Sequence, residues 1–255
     1  MPPNATNPAN STYWKPQKGT SWQIVLLYAL NDTSPDVEVY DIDLFDNNKT
    51  VVDRLHNDGR KVICYFSAGS YENWRPDKEK FNSNDLGKTL DGWPNERWLD
   101  IKSDNVRKIM VSRIQMAKDM NCDGVDPDNV DGYDNDNGLD LTSENSADFM
   151  NFLADEAHKR NMSIGLKNAG DIIEQVLPNM QWSVNEQCVQ YDECDTFQPF
   201  IDNLKPVFHI EYPDDAPSVK VEQKNSICNS EQARGFSTVI KELSLNNWLE
   251  ECPNN

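Results

Sequence analysis

The chain reads as an α/β protein, a single (β/α)8 TIM barrel with an elaborated loop after its third strand. Three observations predict this. The length of 255 residues suits one barrel of about 250 residues. Eight short apolar or alternating runs recur along the chain, most of them followed by helix-compatible stretches. Ionisable residues gather at the downstream ends of those runs, where such barrels keep their chemistry. No Gly-x-Gly-x-x-Gly follows the first run, which argues against an open dinucleotide-binding sheet.

Taken in order, residues 1–13 are rich in Asn, Pro, Ser and Thr and are expected to form a flexible N-terminal arm, with residues 14–255 as the barrel domain. Strands are expected at 21–28, 37–43, 61–69, 124–129, 163–168, 182–187, 206–212 and 235–241. A helix over 46–58 would bury Val51, Val52 and Leu55 and stop at Gly59. Val106, Ile109, Met110, Ile114 and Ala117 form a helical stripe over 106–120. A second stripe, over 146–161, carries Phe149, Met150, Phe152, Leu153 and Ala157, and a shorter helix is expected at 171–177. The segment 71–100, with Trp74, Trp93 and Trp98, reads as an elaborated loop with short helices. Trp22 and Trp182 read as core residues.

Composition narrows the function classes. The formal net charge is −19 and the pI about 4.4. Such a chain repels nucleic acid and anionic membrane surfaces and attracts cationic substrates. Sequons begin at Asn4, Asn10, Asn31, Asn48 and Asn161, and six cysteines accompany them. Together they favour an oxidising, extracellular compartment. The opening Met-Pro-Pro-Asn lacks a charged start and an apolar run, so a secretory leader is expected to have been removed. Cys188 with Cys194 and Cys228 with Cys252 are close enough in sequence for disulfides. Cys64 and Cys122 form either a third bridge or two buried thiols. No Cys-x-x-Cys or His-x-x-x-His spacing occurs, and the calcium-loop-like start at Asp119 has Val130 where a bidentate Glu is needed, so no metal or other cofactor is expected. Ser67 lacks a nucleophile elbow, and a serine hydrolase has little support.

The chemistry points to two acids. Asp126 and Asp128 lie two apart at the end of the fourth expected strand, on one face of it, and Glu186 ends the sixth. Alternate strands of a barrel contribute to one layer, so Asp128 and Glu186 can meet at its mouth. Two carboxyl groups so placed are what glycoside hydrolysis needs, one to protonate the leaving oxygen and one to attack or stabilise the anomeric carbon. Asp41 and Asp43 end the second strand, Tyr65 lies near the end of the third, Lys167 ends the fifth and Glu211 the seventh. Lys167 is expected to hold one carboxylate ionised. Tyr65, Tyr71, Trp74, Tyr133 and Tyr191 can stack against sugar faces.

Several motifs in order, Val39–Asp46, Cys64–Gly69, Gly124–Asp131, Ile164–Asn168, Asn185–Cys188 and Phe208–Tyr212, resemble glycoside hydrolase family 114. The resemblance implies an endo-α-1,4-polygalactosaminidase that retains anomeric configuration, with Asp128 as nucleophile and Glu186 as acid/base. It implies a cationic amino-sugar polysaccharide as partner. Asp41, Asp43, Asp126 and Glu211 are candidates for contacts to its amines or for orienting the catalytic pair, and with Tyr65, Tyr133 and Lys167 they make up the expected substrate-binding set. A monomer is expected. The alternatives are a non-catalytic carbohydrate-binding barrel and a glycosidase for a different amino-sugar polymer.

Overall fold

The computed structural model of the protein describes residues 13–253. Its strands are β1 (Trp22–Val25), β2 (Val39–Asp43), β3 (Lys61–Ser67), β4 (Ser70–Glu72), β5 (Leu86–Leu90) and β6 (Trp93–Leu99). Then follow β7 (Gly124–Asp128), β8 (Ser163–Lys167), β9 (Trp182–Glu186), β10 (Val207–Glu211), β11 (Ser237–Ile240) and β12 (Glu250–Glu251). All eight runs expected from the sequence become strands, each trimmed at one or both ends. They pair side by side in parallel in one nine-stranded sheet, β1-β2-β3-β7-β8-β9-β10-β11-β12, in which only β12 is antiparallel.

The sheet is strongly curled. Strands sit about 4.8 Å apart, so a flat sheet would separate β1 from β11 by roughly 30 Å. Instead the Trp22 indole on β1 donates to the Ser237 carbonyl on β11 at 2.8 Å. Leu26 and Leu27, just past β1, also donate their backbone N–H groups to the Leu245 carbonyl. The expected closed eight-strand barrel is thus seen as a curled sheet whose backbone ladder, among the described residues, does not run from last strand to first. Short β12 occupies the free edge of β11.

Alternation along each strand divides the core in two. Trp22, Ile24, Val39, Ile63, Trp182, Val184, Phe208, Ile210 and Val239 pack inside the curl. Tyr40, Ile42, Val62, Phe66, Val125, Ile164 and Leu166 face outward onto the helices. Inside, Trp182 lies across β7 and β8 because both strands offer glycine there. A Cβ on Gly165 would be 1.9 Å from the Trp182 Nε1, and one on Gly124 would be 2.4 Å from its Cη2.

The main outer helices are α1 (Lys49–Asn57), α2 (Asp104–Asp119) and α3 (Ser143–Lys159). Short α4 (Ile173–Val176), α5 (Cys188–Tyr191), α6 (Gln198–Asp202) and α7 (Val221–Cys228) complete the set. α1 starts three residues later than the apolar pattern suggested. Asn48 caps it by accepting from the N–H groups of Thr50 and Val51, while Asn47 is held by Leu30 N–H and the Asp43 carbonyl. α3 starts three residues earlier than its stripe, at a capping box made by Thr142 and Asn145. No helix separates β1 from β2, so the strand–helix alternation fails there.

The elaborated segment after β3 does contain short 3₁₀ turns, but its main content is a three-stranded antiparallel sheet, β4-β6-β5. Asp91-Gly92, with Gly92 at φ 75°, turns β5 into β6. Disulfides join Cys64–Cys122, Cys188–Cys194 and Cys228–Cys252. The expected mobile arm lies outside the described residues except for Tyr13, whose ring stacks on His158 with centroids 4.3 Å apart. Among the described residues no helix is long and apolar enough to cross a membrane.

Gly165→Ala drives a methyl group into the Trp182 ring. It is expected to cost about 1–3 kcal/mol in urea unfolding. In a Trp182→Leu background the same change costs measurably less, and a double-mutant cycle reads the difference.

Candidate active site

At the downstream end of the curl, inward-facing positions become polar. Each strand that carries a key side chain there ends in an abrupt turn. Asn129 follows Asp128 at φ 59°, Asn168 and Ala169 follow Lys167 at 48° and 50°, and Gln187 follows Glu186 at 62°. These left-handed residues reverse the chain at once, so the side chain before each turn stays at the strand end. The turn after β7 packs against Gly69, where a Cβ would be 1.7 Å from the Asn129 carbonyl oxygen.

Lys167 sits at the centre. Its Nζ is 3.2 Å from Asp128 Oδ2 and 3.0 Å from Glu186 Oε2. Its side chain is 3% exposed, whereas those of Asp128 and Glu186 are 16% and 24% exposed and reach the surface. Burial alone would lower the Lys167 pKa, but Asp128, Glu186 and Asp126 outweigh it and raise it above the ordinary lysine value. Asp128 also accepts from the Tyr65 hydroxyl at 2.8 Å and from Asn129 N–H at 2.7 Å. Glu186 accepts from the Tyr212 hydroxyl at 2.5 Å and from Asn168 Nδ2 at 3.0 Å, while its own N–H donates to Asn168 Oδ1. Burial pushes the Glu186 pKa up, but Lys167, Tyr212 and Asn168 together bring it below the usual carboxylate value.

Two cavities meet at Glu186. One, of about 430 Å³, is lined by Asp43, Tyr65, Trp74, Arg75, Trp93, Asp128 and Lys167 among others. The second, of about 350 Å³, is lined by Asp131, Tyr133, Asp134, Asp171, Tyr191 and Glu193. Both share Asp131, Asn168 and Glu186. Exposed Leu27, Trp74, Trp93 and Leu243 line the first and exposed Tyr191 the second. Burial pushes the Asp131 carboxyl up to about 6.

Of the residues picked out from sequence, Asp128, Glu186, Lys167 and Tyr65 are brought together by direct contacts. Tyr133 lies on the second cavity. Asp43 lies on the first, but its carboxylate is committed to Arg75, at 3.0 Å and 2.5 Å, and Arg75 also binds Glu72. Asp41 and Asp126 are fully buried beneath Lys167 and line neither cavity. Glu211 faces outward, bonded to His209 at 2.8 Å and to Val189 N–H at 2.9 Å, and it too lines neither cavity. Their expected amine contacts therefore have no opening through which to form. Tyr212, Asn168, Arg75 and Asp131 were not picked out. For Tyr212 the signal was present, because Phe208, Ile210 and Tyr212 alternate on one face and Glu211 does not. Cys188, Cys194 and His209 cluster as metal ligands would, but the two thiols are consumed by their disulfide.

The arrangement offers two partly exposed carboxyl groups flanking one ammonium, in a cleft open on both sides. Comparison with known proteins agrees with that chemistry. The model for glycoside-hydrolase family GH114 matches residues 3–255. A crystal structure of Aspergillus fumigatus Ega3 in complex with galactosamine is 65% identical over 94% of this chain and 97% of that one, with a TM-score of 0.91. The glycoside hydrolase domain of PelA from Pseudomonas aeruginosa shares the fold at 10% identity, over 90% of this chain and 98% of that one, with a TM-score of 0.71. Eubacterium rectale Amy13B shares it more distantly, at 9% identity over 86% of this chain and 64% of that one, with a TM-score of 0.55. Among curated proteins no relative is found. The match over nearly the whole sequence places this chain in glycoside hydrolase family GH114, to which it belongs.

Proposed function

We propose that the protein is a secreted, endo-acting, retaining glycoside hydrolase that cleaves α-1,4-linked galactosamine-containing exopolysaccharide. One observation carries the reading: Asp128 and Glu186 flank Lys167 where two cavities join. A cleft that continues past the acids on both sides admits the middle of a polymer. The two contacts to Lys167, laid end to end, bound the separation of the contacting oxygens at about 6 Å. That upper bound lies below the inverting spacing of about 6.5–9.5 Å and is compatible with the retaining spacing of about 5–5.5 Å.

In the first step Asp128 attacks the anomeric carbon while Glu186 gives its proton to the departing glycosidic oxygen, and a glycosyl ester forms on Asp128. Glu186, now anionic, takes a proton from water. That water attacks the same carbon and releases Asp128. Tyr65, Lys167 and Asn129 N–H all contact the Asp128 carboxyl group and fix its orientation for attack. Support for a cationic amino sugar comes from the galactosamine bound to the similar Ega3 and from Asp131, Asp134, Asp171 and Glu193 along the second cavity. Support for secretion comes from the three disulfides and from the exposed positions of Asn31, Asn48 and Asn161.

Asp128→Asn and Glu186→Gln are each expected to lower kcat/KM on a galactosamine polymer by about 10²–10⁴-fold or more. Product release measured by mass spectrometry checks this. Full activity in both variants overturns the assignment. A Glu186→Gln enzyme that keeps its rate, with Asp131→Asn losing it, would move the proton donor to Asp131.

The environment of Glu186 fixes a pH dependence. The proton donor must be protonated in the free enzyme, and three donors hold Glu186 below the usual carboxylate value. kcat/KM therefore begins to fall at acidic pH as pH rises. Tyr212→Phe removes one of those donors and is expected to move this limb toward alkaline pH. A pH–rate profile of the two enzymes is the measurement.

A further inference from the structure

Beneath Lys167 lies a pair of acids that the reaction above leaves unused. Asp41 on β2 and Asp126 on β7 point inward across β3, and both are 0% exposed. Their side chains lie within hydrogen-bonding reach of each other. All four of their carboxyl oxygens are buried and receive no other donor. Two carboxylates only accept, so a hydrogen bond between them requires a proton on one.

The charges above give the reason for that proton. Asp128 and Glu186 already share the one ammonium of Lys167. Asp43 is tied to Arg75, and Tyr65 and Tyr212 are neutral donors to the upper pair. Just past β11, Lys241 is held by Gln23 Oε1 and the Asn246 carbonyl. Two more bare carboxylates in this interior would face Asp128 and Glu186 with only Lys167 to balance them.

We propose that Asp41 and Asp126 form a buried carboxyl pair that still holds a shared proton at neutral pH, so that Lys167 lies over a protonated pair rather than over two bare carboxylates. Neither reaches the cleft. The direction of each pKa agrees: burial raises that of Asp41 well above its ordinary value and pushes that of Asp126 up to about 7. The pair does not depend on which residue is the proton donor of the hydrolysis.

Thermal unfolding of wild type, Asp41→Asn and Asp126→Asn across pH tests it. An unfolded aspartate titrates at about 3.9, whereas in the folded pair Asp126 is pushed up to about 7 and Asp41 is raised well above its ordinary value. The folded state therefore binds more protons through this window, and the stability contributed by the pair is lost as pH rises through it. Either Asn variant places an amide donor against the remaining carboxylate and removes that loss, so its Tm falls less with pH than that of wild type. Equal slopes in wild type and both variants overturn the shared proton. The measurement needs no activity, so its failure is distinct from failure of the hydrolase reading.

Discussion

The ammonium of Lys167 is the charge around which this site is assembled. Asp128 and Glu186 approach one another only because it stands between them. The same molecule supplies the contrast. Lys241 is also fully buried, but it donates to a side-chain amide oxygen and a backbone carbonyl, and burial pushes it down to about 7. Lys167, with three carboxylates near it, shifts the other way. Two buried lysines thus shift in opposite directions, because Asp128, Glu186 and Asp126 together outweigh burial at Lys167 while Glu242 does not offset it at Lys241.

The interior is layered to support that charge. Trp182 fills the lower part of the curl, lying over the glycines of β7 and β8. Asp41 and Asp126 sit above the ring, Lys167 above them, and the open cleft above that. The indole excludes water from below, which makes every charge in the upper layers count for more. The cleft then divides in character. Tryptophans and leucines dominate the rim on the Asp128 side, while aspartates, a glutamate and tyrosines line the other.

Much of this was legible before any coordinates. The eight parallel strands follow from short apolar runs, and strand-end acids follow from where a barrel keeps its chemistry. Asp128, Glu186, Lys167 and Tyr65 were found because they combine a strand end with an inward position. Glu211 was misplaced because its strand end was used and its parity was not. The apolar alternation of Phe208 and Ile210 already assigned the inner face to Tyr212. Asp91-Gly92 likewise marked a hairpin inside a segment read as loop. Arg75 was beyond reach, since it arrives from that inserted segment and meets Asp43 only in three dimensions. Asp41 and Asp126 were legible as acids but not as buried ones, because depth along a curled sheet depends on the register of neighbouring strands.

The left-handed residues after β7, β8 and β9 carry a consequence for how such a cleft can diversify. Each one ends the extended part of its strand within a single peptide unit. Everything beyond is rim, free to lengthen, shorten or change composition while the charged cluster stays fixed to the sheet. Substrate preference and catalytic power are thereby carried by separate stretches of chain, so selection can retune one without disturbing the other.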